Sequence, residues 1–372
     1  MDNQEKDSVM ESPKENVMES PEENESVMDN TGEKEPVDLA QHRKMAKKAY
    51  SFAGLSLSVF ILVSTAVQLL VSVFLLDKIP KDLFSQSTLS FLLIIFSMYI
   101  IAFPVYALMN KKREKTVIEK HKMKWWEMIV AILMMAGMVS VGAIVGFVIN
   151  LVIVLLTGAE AANVNSLADM MTNSNFFLRV LTVGILAPIV EELVMRKILI
   201  DRIVKYGELM AILISGLAFG LIHGNINQFI FATFVGMFSS FIYIRTGRII
   251  YSIILHMALN LTTSVITSTL ADWAMRAMAN NTGENGMMME GDIKTMLPIL
   301  VFTIWFLLLG FICFVGEIIL LVNLGRKKLR LQTTECQVES NLGLAIGTVG
   351  GVVFILASCV LYALNYVPLF IK

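Results

Sequence analysis

Long apolar stretches, separated by short polar and basic ones, fill the chain after about residue 45. An α-helix needs about 20 predominantly apolar residues to cross the roughly 30 Å hydrocarbon core of a bilayer. The pattern therefore predicts an all-α fold, a polytopic integral membrane helical bundle of about eight to nine transmembrane helices. The nine candidate segments, of which the fifth and sixth are short, are Tyr50–Leu76, Thr88–Met109, Glu127–Leu156, Phe176–Ile200, Glu208–His223, Gln228–Ile244, Ile249–Leu270, Leu297–Leu324 and Leu342–Ile371.

The composition agrees with a membrane protein. Hydrophobic residues make up 56% of the 372 residues and charged residues 16%, whereas charged residues are about a quarter of a soluble domain. The basic residues lie in short clusters between apolar segments, so no face for nucleic acid is expected. Cys313, Cys336 and Cys359 have neither metal-ligand spacing nor the pattern of a disulfide framework.

The N-terminal segment differs from the rest of the chain. Its first 40 residues hold 13 acidic and 3 basic residues, and a Val-Met pair followed by an acidic residue recurs three times. These isolated pairs offer too little apolar surface to offset the entropy of ordering the chain. We therefore expect residues 1–45 to form a disordered acidic tail.

The loops between the apolar segments differ in charge when they are assigned alternately to the two sides of a membrane. One set of loops and helix ends carries 21 Lys and Arg residues, and the other carries only Lys78, Lys81, Arg276, Lys294 and Lys372. Because basic loops stay on the cytoplasmic side, this asymmetry predicts a multi-pass cell-membrane protein with a cytoplasmic N-terminus.

Small residues at four-residue spacing predict close helix contacts. Within a bilayer the hydrophobic effect does not press helices together, so close approach through small residues is a main source of packing. Gly142 and Gly146 in the third segment, and Gly216, Gly220 and Gly224 in and after the fifth, follow this spacing.

A few polar residues interrupt the apolar segments, and their cost in a bilayer makes them candidates for function. In the fourth segment Glu192 and Arg196 are four residues apart, so they share a helix face and can pair. Glu191 points about 100° away and is the freer carboxylate. Pro188 predicts a kink beside it. The remaining candidates are His223, His256, Asn260 and Glu317, of which we expect Glu317 to have only a structural role.

The depths of these residues do not by themselves require them to meet. At about 1.5 Å per residue from the cytoplasmic flanks, His256 lies roughly 12 Å deep, Glu191 about 18 Å and His223 about 22 Å. Their convergence is therefore inferred from their chemistry.

Three motifs contain these candidates: Glu191-Glu192-Leu-Val-Met-Arg196, then Phe219-Gly-Leu-Ile-His223, then His256-Met-Ala-Leu-Asn260. In this order they resemble the EExxxR, FxxxH and HxxxN motifs of the CAAX prenyl endopeptidase and bacteriocin-processing family of intramembrane proteases. The resemblance covers about residues 180–265 and suggests a CAAX-protease-like catalytic core over 176–270. The apolar pattern predicts N-terminal transmembrane helices over 46–175, and an outer loop with C-terminal transmembrane helices over 271–372.

The resemblance implies a peptide-bond hydrolase with a conical cavity inside a helical bundle. Its substrate would be a membrane-associated or leader-type peptide. By this resemblance Glu191 and His223 activate water, while His256 and Asn260 stabilise the oxyanion. Glu192, Arg196 and Phe219 would support them. The family is described both as metalloproteases and as glutamate proteases, and Glu191, His223 and His256 are ligand types that zinc takes, so zinc stays open as a cofactor.

Two other functions also fit the sequence. Buried Glu and His residues mark proton relays as well as catalytic sites, so a proton-coupled transporter is one alternative. A non-catalytic immunity or scaffold protein that keeps the family fold is the other.

Overall fold

The computed structural model describes residues 26–28, 34–36, 39–75, 78–79, 85–157, 174–280, 293–326, 329 and 342–366. These residues divide into two compact units, one before and one after the step from Asp38 to Leu39. The remaining parts of the predicted tail and outer loop, and Cys336, lie outside the described residues.

The N-terminal unit contains a short β-hairpin. Strand β1 (Ser26–Met28) pairs antiparallel with β2 (Lys34–Pro36), and Val27 stands opposite Glu35. This hairpin pairs the backbone of the third Val-Met pair with a strand of the same tail. The disorder of residues 1–45 as a whole stays a prediction.

Helices joined by loops make up the described part of the second unit, and its longest described loop runs over residues 111–124. Several of its ten helices join α-helical turns to wider π-helical or tighter 3-10 turns. Their bounds are α1 (Leu39–Phe74), α2 (Gln86–Ile94, π-helical Ile95–Ala102 and Phe103–Asn110), α3 (Trp125–Thr157), α4 (Phe176–Arg179, π-helical Val180–Leu186, Ala187–Glu192, π-helical Leu193–Ile200, Asp201–Ile203 and 3-10 Val204–Tyr206), α5 (Glu208–Ile222), α6 (Ile226–Thr246), α7 (Ile249–Asn260, π-helical Leu261–Thr267 and Ser268–Asn280), α8 (Ile293–Gly325), α9 (Leu342–Ile346) and α10 (Val349–Tyr366).

Six of these helices are long and apolar enough to cross a membrane within the described residues: α1, α2, α3, α6, α7 and α8. The all-α membrane bundle is therefore confirmed, and the chain is a multi-pass membrane protein. The other three predicted segments are helical too, but α5 and α10 are shorter and α4 is a series of short pieces. Nine crossings and a cytoplasmic N-terminus stay predictions.

Helix α1 begins earlier than the predicted boundary at residue 45. It starts at Leu39 and runs through basic turns before its apolar part begins near Tyr50. The segment 39–48 is rich in Ala, Lys, Arg, Gln and Met, which are strong helix formers. Hydropathy marks where a helix enters the membrane, whereas helix propensity sets where it starts, and the two points differ here.

Helix α6 is the centre of the bundle. In the most apolar stretch of α6, 61% of the residues are buried. The same fraction is 6% in α8, which lies at the periphery. It packs against α3, α5 and α7, while α1 packs against α10. Its start is fixed by the Asn225 side chain, which accepts a hydrogen bond from the Asn227 N–H at 2.8 Å.

Four of the glycines whose spacing predicted close packing lie against α6. Gly142 of α3 lies against the backbone of Phe231, and Gly146 lies against Asn227. Gly216 and Gly220 of α5 lie against Met237 and Thr233, also of α6. Gly224 plays a different part, since its φ of 62° forms the left-handed turn that follows α5.

Glu317 on α8 has the structural role that was expected, although through a partner that the sequence did not suggest. The Ser140 hydroxyl of α3 donates a hydrogen bond of 2.7 Å to its carboxylate. The carboxylate therefore joins α3 to α8, at the place where Gly137 and Gly316 let the two helices approach closely.

We expect Gly236→Ala to weaken the α5–α6 contact. A Cβ at Gly236 would lie 2.8 Å from Cα of Gly216 and 3.0 Å from Cβ of Phe219, so the two backbones must move apart. The cost should be about 1–3 kcal/mol, measured as a lower unfolding temperature in detergent. Gly310→Ala is the matched control, because a Cβ there meets nothing within 4 Å. Equal unfolding temperatures for the two variants would contradict the packing described for α6.

Candidate active site

The two adjacent glutamates lie at the end of a short α-helical piece of α4, between two π-helical pieces. Pro188 occupies the first turn of this piece, Ala187–Glu192, directly after the π-helical turns Val180–Leu186. Proline lacks an N–H and clashes with the preceding turn, so the helix widens where the sequence predicted a kink. The irregularity that Pro188 predicted therefore takes the form of a π-helix.

Gly184, in the wider turns, lets α7 approach α4. A Cβ at Gly184 would lie 3.3 Å from Cγ of Leu261 and would meet that side chain more closely still at its tip. This contact brings the first piece of α7, which ends at Asn260, alongside the glutamates.

Glu192 is fully buried and has three charged or polar partners, Arg196, His256 and the hydroxyl of Ser252. Nε of Arg196 lies 3.0 Å from its Oε2, as the spacing of four residues predicted. Nδ1 of His256 lies 3.0 Å from its Oε1. Because a carboxylate only accepts hydrogen bonds, Nδ1 of His256 carries a hydrogen and donates it to Glu192. The sequence did not indicate this second bond.

Arg196 is buried as completely as Glu192, and it ties α4 to α5. Its guanidinium carbon lies 5.2 Å from the ring centroid of Phe219, within the range of a cation–π contact. None of its three guanidinium nitrogens has an aligned hydrogen-bond acceptor within the described part of the chain. The short distance to Glu192 is therefore an ion pair rather than a well-aligned hydrogen bond.

Glu191 is the more accessible of the two carboxylates, as its position on the helix predicted. Its side chain is 16% exposed, against 0% for Glu192. Its Oε2 lies 3.7 Å from Nε2 of His256, so the imidazole stands between the two glutamates. Tyr99, in the π-helical part of α2, lies near enough to Glu191 for the two side chains to repel each other when both are ionised. The sequence analysis missed Tyr99, since a tyrosine in an apolar segment carries no signal of its own.

Phe219 brings the two motif histidines together. Its ring meets the imidazole of His223 edge to face, with centroids 4.8 Å apart, and that of His256 in the same way at 5.5 Å. Nδ1 of His223 lies 2.6 Å from the carbonyl oxygen of Phe219 and donates its hydrogen to it. Nε2 of a neutral His223 is then left as an acceptor.

Asn260, the predicted oxyanion donor, is held by a hydrogen bond to the backbone of α4. Its Nδ2 donates a hydrogen bond of 2.9 Å to the carbonyl oxygen of Val183, in the π-helical turns of α4. These turns leave carbonyls that a regular helix would have used, which explains why an amide from α7 finds one there. An amide nitrogen has two hydrogens, so a second one remains for another acceptor.

The predicted zinc ligands do not form a ready-made metal site. Within the described ranges no three His, Cys, Asp or Glu side chains form a group that could hold a metal ion. Both ring nitrogens of His256 already face carboxylate oxygens. A zinc requirement stays a prediction, and no step below goes through a metal.

Comparison with known proteins agrees with the three motifs. Residues 173–262 match a family described as type II CAAX prenyl endopeptidase Rce1-like, and this range contains all the motif residues. A stretch of 104 residues is 31% identical to "Putative membrane peptidase YdiL" of Bacillus subtilis (strain 168). That stretch is 28% of this chain and spans 42% of the length of the relative. No solved structure matches.

The segment 173–262 is thus similar to the CAAX prenyl endopeptidase family, the family that the motifs resemble. The helices before and after this segment lie outside the family match.

Removing Arg196 should destabilise the protein far more than removing an exposed arginine with the same spacing. Arg196→Met leaves the Glu192 carboxylate buried without its guanidinium partner, and losing one partner of a buried ion pair costs about 3–5 kcal/mol. Arg276→Met is the matched control, since Arg276 pairs with Asp272 four residues away but is 63% exposed.

The double variant Glu192→Gln/Arg196→Met separates this charge effect from a simple loss of packing. It should unfold at a higher temperature than Arg196→Met, because no unpaired buried charge remains. A double variant no more stable than Arg196→Met would contradict the ion-pair account.

Proposed function

We propose that this protein is an intramembrane endopeptidase that hydrolyses a peptide bond in a membrane-associated or leader-type peptide. The observation that carries the proposal is the partly exposed carboxylate of Glu191, held 3.7 Å from His256 beside a second carboxylate that is buried and neutralised. Such a carboxylate can act as a general base, while its neighbour only holds the site together.

Water activation would use Glu191 and His223. The free Nε2 of His223 can accept a hydrogen bond from a water molecule, because Nδ1 is committed to the carbonyl of Phe219. Glu191 takes the other proton of that water molecule while the water oxygen attacks the carbonyl carbon of the peptide bond. The products of this step are a tetrahedral intermediate with a negative oxygen and a protonated Glu191.

Collapse of the intermediate needs a proton on the leaving nitrogen. Glu191 returns its proton to that nitrogen, the C–N bond breaks, and the carboxylate is restored for the next cycle. His256 can take part in the same exchange, since its Nε2 lies beside the Glu191 carboxylate.

The oxyanion would be stabilised by the second N–H of Asn260 and by His256 when its Nε2 carries a proton. Donors held in place before the reaction cost no reorganisation in the transition state. Both are held: Asn260 by the carbonyl of Val183, and His256 by Glu192. Arg196 and Phe219 act through these residues and are positioning residues.

The first test is cleavage of a membrane-anchored peptide library by the purified protein in lipid, followed by mass spectrometry. Glu191→Gln should lose cleavage, because glutamine cannot take the proton from water. Glu317→Gln is the matched control, a half-buried glutamate on α8 whose bond to Ser140 a glutamine can also accept. Each protein is assayed with and without a chelator, which tests zinc separately.

Wild type and Glu191→Gln with identical product profiles across the library would overturn the proposal. A proton-coupled carrier would then be tested by ion flux in proteoliposomes. If the Glu191→Gln variant kept the biological function of the protein, a non-catalytic scaffold or immunity protein would be favoured.

A second test concerns the oxyanion. Asn260→Ala should lower kcat by about 10²–10³-fold while leaving KM nearly unchanged, because its N–H acts mainly in the transition state. Asn323→Ala is the matched control, since the Asn323 amide also donates to a backbone carbonyl but lies on α8. Equal loss of kcat in both variants, or a change confined to KM, would contradict this role for Asn260.

A further inference from the structure

A cavity lies away from the glutamates, at the end of the bundle where α1 begins. Its volume is about 280 Å³. Its walls come from the basic start of α1, from the end of α2 with the loop after it, and from the last turns of α4. None of the motif residues lines it, so the proposed reaction does not explain it.

The cavity carries an excess of positive charge. Four basic residues line it, and Glu114 is its one acidic lining residue. Lys205 is paired with Glu114 at 2.7 Å. Lys48 and Arg113 form no ion pair with a carboxylate among the described residues, whereas Arg202 is attracted by the carboxylate of Asp201, which precedes it in the chain. Because Lys205 and Glu114 cancel, the side chains that line the cavity have a formal charge of +3.

Two of these cations are held in position before any ligand arrives. Arg202 donates hydrogen bonds to the carbonyl oxygens of Ile198 at 2.7 Å and Asn110 at 2.5 Å, while its Nε is buried and has no partner. The guanidinium of Arg113 lies 3.7 Å from the ring centroid of Phe52. Arginine groups fixed in this way favour phosphate, whose oxygens match their paired N–H donors.

Apart from Asn110, the rest of the lining is mainly apolar, and it lies beside the point where α1 becomes apolar. Met45, Phe52, Leu199 and Tyr206 contribute to the walls. Lys48 precedes by two residues the point near Tyr50 where α1 becomes apolar enough to enter the bilayer. A soluble anion has no carbons to bury against an apolar wall. A lipid does, because its glycerol and first acyl carbons leave water when they contact such a wall.

We propose that this cavity binds the phosphate of an anionic phospholipid, with Lys48, Arg113 and Arg202 as its ligands and the Phe52 and Tyr206 side chains against the glycerol and acyl carbons. The bound lipid joins α1, the loop after α2 and the end of α4. It therefore stabilises the arrangement of helices around α4 without contacting the glutamates.

The test is native mass spectrometry of the full-length protein, delipidated in a neutral detergent and titrated with phosphatidylglycerol or with phosphatidylcholine. The protein should retain phosphatidylglycerol in preference to phosphatidylcholine and unfold at a higher temperature with it. Lys48→Ala and Arg113→Ala should each weaken phosphatidylglycerol binding about fivefold. Lys47→Ala and Lys112→Ala are matched controls, because these exposed neighbours do not line the cavity.

A separate titration with inorganic phosphate and glycerol 3-phosphate distinguishes a lipid from a free phosphate. Protection from thermal unfolding by phosphatidylglycerol but not by these soluble anions supports the proposal. Equal protection by the soluble anions overturns the lipid assignment. Loss of binding in the control variants to the same extent as in Lys48→Ala and Arg113→Ala overturns the site.

Discussion

Two adjacent carboxylates inside an apolar helical bundle are the constraint on which the arrangement of this protein depends. An unpaired carboxylate is costly in such surroundings, so Glu192 must be neutralised and hydrogen-bonded where it is buried. Arg196 supplies the charge from one turn further along α4, and His256 supplies the hydrogen bond from α7. The residues that offset the burial of the Glu192 carboxylate therefore also fix α4 against α7. Glu191 is left partly exposed and free to react.

The irregular helices and the glycines make this arrangement geometrically accessible. The π-helical turns before Pro188 free a carbonyl at Val183 that Asn260 of α7 uses. Close packing of α5 on α6, through Gly216 and Gly236, places Phe219 between the two histidines and under Arg196. The motifs thus reach the site in two ways: the first and third through a widened helix, and the second through a contact between small residues.

The sequence predicted the parts of this site that depend on local spacing. The pairing of Glu192 with Arg196 and the greater accessibility of Glu191 follow from the geometry of one helix, and the structure has both. The bond between Glu192 and His256 spans 64 residues, and no local pattern contains it. Counting depth along regular helices left His256 and Glu191 roughly 6 Å apart in level. The structure brings them together because α4 is not a regular helix, and hydropathy alone does not predict π-helical turns.

The carboxylate of Glu192 and the carbonyl of Phe219 fix which ring nitrogen carries the hydrogen in His256 and in His223, respectively. The most direct measurement is a nitrogen-15 NMR spectrum of the histidine-labelled protein in lipid nanodiscs. Signals would be assigned by His223→Gln and His256→Gln, since the chain has only four histidines. The account predicts a hydrogen on Nδ1 of His256, donated to Glu192, and on Nδ1 of His223, donated to Phe219. A bare Nδ1 in either residue, with the hydrogen on Nε2 instead, would contradict it.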